Sequence, residues 1–203
     1  MRLDVLDHGH GARNRLALRL MGALAGAEPD AVVKTALYRP RFFGRPWIFL
    51  IRSIMRGRSS WTAGERELFG AFISRLNTCR YCLGVHSSGA TLTLGRPITV
   101  DQLDHWRDAA EADFSPRVRA AFALLETLTL APATVTPADI DVVRAAGVSE
   151  AGVVDLLYLV FLFNVVNRMA NALDYEWDTE ATARKIAAIL NRTGYRLPGF
   201  LLR

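Results

Sequence analysis

The chain is poor in cysteine and in lysine. Among 203 residues it holds two cysteines, and all but Lys34 and Lys185 of its 25 basic residues are arginine. Two cysteines cannot build the disulfide framework of a small secreted domain, although two is the smallest number that can form a redox pair. The scarcity of lysine leaves a net charge of +5 spread as arginine along most of the chain, with no polybasic block, so no nucleic-acid partner is expected. Long apolar runs are also missing. The longest, residues 156–163, is bounded by Asp155 and Asn164, far short of the ~18 to 20 residues that a membrane span needs. The first ten residues lack a cationic stretch followed by an apolar one, so no signal or membrane anchor is expected and a cytoplasmic location is the default. In a reducing compartment a close cysteine pair points to catalysis or metal binding rather than to structure.

What is present is a globular composition, 51% hydrophobic and 22% charged, enough to bury one core and too apolar for disorder. No stretch alternates as a strand does, and Gly, Pro and capping residues cut the chain into helices, giving an all-α expectation. The first helix spans about 13–25 and ends near Gly26, and Pro29 suits the first turn of a second that Pro40 stops. Residues 41–57 interleave Phe42, Phe43, Trp47, Ile51 and Met55 with Arg41, Arg45, Arg52 and Arg56. They read as an interior or interface helix whose arginines snorkel or pair with carboxylates, in preference to a membrane-surface or nucleic-acid helix.

Thr62-Ala-Gly-Glu65 and Thr99-Val-Asp-Gln102 are capping boxes, the second opening a short helix with His105 and Trp106. Asn77 or Thr78 is expected to cap a helix carrying the cysteines to Gly95. Ser115-Pro116 and Thr136-Pro137 begin two more, and Ser149-Glu150 leads into the longest, which is apolar nearly all round in its first half and is therefore expected to be buried on every side, at the domain centre or with help from a partner subunit. A last helix, about 180–190, precedes a tail with Gly194, Pro198 and Gly199. No linker or low-complexity tract divides the chain, so residues 1–203 read as one domain.

Chemistry concentrates in Cys79-Arg80-Tyr81-Cys82-Leu83-Gly84-Val85-His86. On a helix, positions 79, 82 and 86 share one face, so the two sulfurs and the imidazole can exchange protons. The first turn of a helix also favours a thiolate, the reactive form of cysteine, which points to Cys79 as the more acidic thiol. Glu67, on the preceding helix, could approach the sulfurs if the two helices form a hairpin and act as a proton acceptor. Glu65 is already used by its capping box. Two thiolates, His86 and Glu67 could also supply four zinc ligands, but structural zinc sites draw on two separated knuckles more than on one helix, so no metal and no cofactor are expected. His8 and His10 read as part of a polar tail. Asn164, Asn167, Arg168 and Asn171 read either as pocket lining or as caps on neighbouring helices.

Glu67-x11-Cys79-x2-Cys82-x3-His86, with Glu65-Arg66-Glu67-Leu68, Ser74-Arg75 and His86-Ser87 around it, resembles the signature of the AhpD-like alkylhydroperoxidases of the carboxymuconolactone decarboxylase superfamily. Phe163-Asn164-x2-Asn167-Arg168-x2-Asn171-Ala172-Leu173 resembles the C-terminal helix of its peroxidase-related branch. The resemblance covers about residues 35–180. It implies an all-helical AhpD-like fold assembled as a homotrimer or homohexamer, and a thiol peroxidase. Under it Cys82 attacks a small hydroperoxide, Cys79 resolves the sulfenic acid to a disulfide, Glu67 and His86 relay protons, and a thiol or dithiol donor restores the pair. Tyr81 stands where the best-studied AhpD type has a relay histidine; with an ordinary pKa near ~10 it is a poor base. The superfamily's decarboxylases lack the cysteine pair, which weighs against lactone decarboxylation. The alternative from another class is a non-enzymatic helical oligomer that uses the pair as a redox sensor.

Overall fold

The computed structural model describes residues 1–26, 28–110, 112–177 and 179–197; Pro198 and Gly199 of the tail lie outside them. Among the described residues the chain is helical and has no strand. A short α1 (Val5–His8) precedes α2 (Ala12–Ala25), α3 (Ala31–Tyr38), a π-helical turn at Pro40–Gly44 and α4 (Arg45–Arg56). The centre is the hairpin of α5 (Ala63–Leu76) and α6 (Arg80–Leu94). After α7 (Val100–Asp104) come α8 (Pro116–Leu130), α9 (Pro137–Ala145), the long α10 (Glu150–Leu173) and α11 (Glu180–Thr193). Helices α8 and α10 pack on α5, and α11 packs on α6.

The local signals act largely as expected. Thr62 and Thr99 each close a capping box, accepting from Glu65 and Gln102 amides while those side chains accept from the cap amides. Ser115 and Ser149 accept from Val118 and Gly152. Each such cap contributes on the order of 1 kcal/mol and fixes where a helix begins. Several expectations need correction. His8 and His10 are not a loose polar tail: His8 ends α1, and His10 is buried with its Nε2 2.8 Å from the Lys34 carbonyl. Pro29 lies outside its helix, because Asp30 takes the cap by accepting from the Val32 amide at 2.8 Å. His105 is the C-cap of α7 and Trp106 follows it; His105 is exposed, whereas Trp106 is buried edge-on against Phe72 and Phe122. The basic aromatic stretch is broken by its π-helical turn, and it buries only one face, through Trp47, Ile51 and Met55. Finally, α10 is not buried all round: Val154, Leu157, Tyr158, Phe161 and Val165 form an exposed stripe, with Tyr158 and Phe161 each 55% accessible. By length and composition α10 could cross a membrane; here its other face, including Leu156, Leu159 and Phe163, forms the core.

The core between α5 and α8 is aromatic. Phe122 stands 4.3 Å from Phe72, 5.0 Å from Phe114 and 5.9 Å from Phe69, centroid to centroid. The pairs with Phe114 and Phe69 are edge-on and that with Phe72 is tilted; such aromatic pairs add to area burial. Gly70 lets α10 approach, since a Cβ there would overlap the Phe163 ring. That approach brings Phe163 against His86, 4.7 Å away and edge-on, and so links the core to the chemical cluster.

Candidate active site

The hairpin connection presents the cysteines. α5 ends at Asn77, Thr78 takes a left-handed backbone (φ 51°), and Cys79 is the N-cap of α6. Neither Asn77 nor Thr78 is therefore the cap. Asn77 is used elsewhere: its Nδ2 donates to Asn164 Oδ1 at 3.2 Å and to Asn167 Oδ1 at 3.1 Å, and its carbonyl accepts from Asn171 at 3.2 Å. Asn167, fully buried, donates in turn to Ser74 Oγ at 3.1 Å, and the Cys79 amide donates to the Ser74 carbonyl at 2.8 Å. Three asparagines on one face of α10 thus clamp the tight, strained connection that ends in Cys79. Arg168 steadies Asn164 through its carbonyl and Oδ1.

Cys79 and Cys82 are free thiols, 1% and 2% exposed. A hydrogen bond from Cys82 brings the Cys79 thiol down to about 7, overcoming its burial, with the Cys82 amide, the charge of His86 and Asn167 adding to the effect. The same bond, together with burial and the charge on Cys79, pushes the Cys82 thiol well up. The two sulfurs titrate as a pair, and Cys79, at the helix start, is the more acidic of them because Cys82 donates to it.

Glu67 is buried (2% exposed) and fully partnered. Its Oε2 lies 2.7 Å from His86 Nδ1; its Oε1 accepts from Arg56 Nη2 at 2.6 Å and from the Tyr195 hydroxyl at 2.8 Å. Burial pushes this carboxyl up, but the hydrogen bond and charge of His86 and the Arg56 guanidinium outweigh it and hold the group below the usual carboxylate range. Gly89 leaves room for it, since a Cβ there would stand 3.0 Å from Oε2. The structure thus joins Glu67 to His86, which stands one turn after Cys82 on α6, so Glu67 reaches the dithiol through the imidazole.

A second carboxyl, half-buried Asp30, is bonded to the residue that precedes Cys82. The Tyr81 hydroxyl donates to its Oδ2, and Tyr81 packs edge-on against Tyr175 at 5.5 Å. Burial pushes the Asp30 carboxyl above its ordinary range, further than Tyr81, the Val32 and Val33 amides and His86 pull it back. Its charge bears on Cys82. Among the described residues no group of three or more His, Cys, Asp or Glu side chains is placed to hold a metal ion.

The sequence pattern reached Glu67, Cys79, Cys82 and His86, and the fold gathers all four. It missed Arg56 and Tyr195, which hold Glu67, and Asp30, which holds Tyr81. For Arg56 a signal existed in the expectation that the 41–57 arginines pair with carboxylates; for Asp30, in the Asp that precedes an apolar helix. Tyr195 had none.

No protein-family model matches the chain. The uncharacterized protein YdfG of Bacillus subtilis is 30% identical over 117 residues, 57% of this chain and 78% of the relative. A crystal structure described as the alkylhydroperoxidase AhpD core of a peroxidase-related protein from Ralstonia eutropha JMP134 superposes with a TM-score of 0.73 at 26% identity, covering 90% of this chain and 96% of the other. The chain matches AhpD-core, peroxidase-related structures over about 90% of its length and carries the Cys79–Cys82 pair. A peroxidase-related protein from Silicibacter sp. TM1040 shares the fold, with a TM-score of 0.76 at 22% identity over 91% of this chain and 95% of that one.

Proposed function

We propose that this AhpD-core protein is a thiol-dependent peroxidase that reduces hydroperoxides through Cys79 and Cys82, with Glu67 and His86 as its proton relay. The observation that carries the reading is geometric: two free, buried cysteines one helical turn apart at the start of α6, followed one turn later by His86, which is bonded to Glu67 at 2.7 Å. The Cys79 thiol is brought down to about 7 there, which favours the reactive thiolate.

Cys79 thiolate takes the Cys82 proton, and Cys82 attacks the outer peroxide oxygen. The O–O bond breaks; the alkoxide leaves as alcohol with the proton held by Cys79, and Cys82 becomes a sulfenic acid. Cys79, again a thiolate, attacks the Cys82 sulfur, forms the S–S bond and expels hydroxide. A proton delivered through His86, held by Glu67, turns the hydroxide into water. The hydroperoxide has gained two electrons and the dithiol has lost two; an external thiol or dithiol returns them. The attack is assigned to Cys82 by the resemblance and not by its acidity, because the Cys79 bond, burial and the Cys79 and Asp30 charges push that thiol up.

The exposed stripe of α10 supports a homo-oligomer, trimer or hexamer, in which this face is covered. The catalytic test is consumption of cumene hydroperoxide with dithiothreitol. Wild type is expected to turn over many times per chain and Cys82→Ser not at all. A single oxidation per chain with every donor tried would replace the enzyme by a redox sensor.

A further inference from the structure

The dithiol is sealed, with both sulfurs at most 2% exposed, yet a peroxidase must admit its substrate. A cavity of about 960 Å³ opens between α2, α3 and α11, lined among others by Leu18, Ala23, Thr182 and Ile186. It does not reach the cysteines. Its lining does include Asp30 and Tyr81, which are joined by a hydrogen bond. Tyr81 immediately precedes Cys82 on α6, and the Asp30 carboxyl bears on the Cys82 thiol, so this pair is where the cavity lining comes to the dithiol.

Tyr81 is held at three points. Its hydroxyl donates to Asp30, its ring meets Tyr175, and its carbonyl accepts from Trp177 Nε1 at 3.2 Å. The backbone bond and the helix fix the Cα, so the ring can leave the wall only by a side-chain rotation, and that rotation requires breaking the bond to Asp30. Asp30 is itself pinned as the cap of α3. No charge preference attaches to the cavity: the α-amine of Met1, Arg15, Arg19 and Lys34 are balanced by Asp7, Glu28, Asp30 and Glu176. Its volume exceeds what hydrogen peroxide needs and suits an organic hydroperoxide.

We propose that this cavity is the vestibule through which an organic hydroperoxide reaches Cys82, and that the Tyr81–Asp30 hydrogen bond is the latch that closes it. The proposal rests on the dithiol being the reacting centre. Tyr81 and Asp30 are positioning residues under it, and the residue that replaces a relay histidine serves entry instead of proton transfer.

The experiment reads access separately from catalysis. The full-length reduced protein is reacted under native conditions with N-ethylmaleimide and with the bulkier fluorescein-5-maleimide, and modification of the cysteines is followed by mass. Tyr81→Phe removes the hydroxyl and keeps the ring; labelling by both probes is expected to accelerate about tenfold, the ratio for loss of one hydrogen bond to a charged group. Asp30→Asn keeps a capping oxygen and is expected to accelerate labelling in the same direction, which covers the case in which Tyr81→Phe fails to fold. Ala23→Trp narrows the vestibule and is expected to slow the bulky probe more than the small one, a ratio independent of thiolate content because both probes meet the same sulfurs. Unchanged rates in the latch variants, or an unchanged ratio in Ala23→Trp, would overturn the proposal. Labelling that follows the latch in a protein that consumes no hydroperoxide would leave the gate standing and remove the peroxidase reading.

Discussion

Two carboxyls stand near the dithiol, one buried and one half-buried, and they sit on opposite sides of their ordinary values. Glu67 has a guanidinium, an imidazole and a phenol as partners and is held low; Asp30 has a phenol and backbone amides and is pushed high. Burial is the largest influence on each and acts in the same direction. What separates them is the bond and charge of His86 on Glu67 and, behind it, the Arg56 guanidinium. At Asp30 the phenol and backbone amides do not offset burial. The two sides divide the labour accordingly. The Glu67 side keeps a fixed ion cluster behind the imidazole that influences Cys79, and the Asp30 side keeps a single bond that can be broken.

The comparison can be broken most severely at Arg56. Arg56→Met removes the cation and leaves Glu67 buried with neutral partners and His86, so a loss of about 3 kcal/mol or more is expected in urea denaturation. Linkage sharpens this. The low folded value of Glu67 gives stability that is present above its ordinary 4.5 and lost as the pH falls through the lower folded value. Asp30 has the opposite sign: its contribution is present below its ordinary 3.8 and lost as the pH rises through the raised folded value. The Arg56→Met variant should therefore lose much of the acid-side fall in stability that wild type shows.

A middle-sized effect lies between the two carboxyls. Cys79 titrates at about 7 chiefly because Cys82 donates to it. Its alkylation rate should rise as the pH passes about 7 in wild type. In Cys82→Ala the midpoint should move up toward the ordinary 9.0, and a midpoint that stays put would assign the low value to the helix start instead. The smallest effect is expected at Asp30: Asp30→Asn, which keeps the cap and removes a poorly supported charge, should change stability by less than about 1 kcal/mol. A loss as large as that of Arg56→Met would make Asp30 a structural anchor and erase the contrast.

The helix order was legible because it is written locally. Thr62, Thr99, Ser115 and Ser149 begin their helices through bonds to residues three positions away. The four chemical positions were legible for the same reason, since Cys82 and His86 are a helical turn apart and Glu67 needs only a hairpin. Partners supplied by distant segments were not. Tyr195 reaches Glu67 across 128 positions and Asp30 meets Tyr81 across 51, and no periodicity encodes such meetings. The misplaced cap at Cys79 has the same origin: Asn77 is a good local cap, but α10 competes for its side chain and wins with two hydrogen bonds. The apolar first half of α10 suggested burial on all sides, and the single chain has too little material to cover it.

The central claim is that Cys79 and Cys82 work as one reversible two-electron centre. It is tested most directly by the intact mass of the reduced protein after one equivalent of cumene hydroperoxide, with and without thiol labelling. The account predicts that both labelable thiols vanish together, that the mass falls by two hydrogens, and that dithiothreitol restores both. A product carrying added oxygen on one cysteine, with the other still free to label, would contradict it.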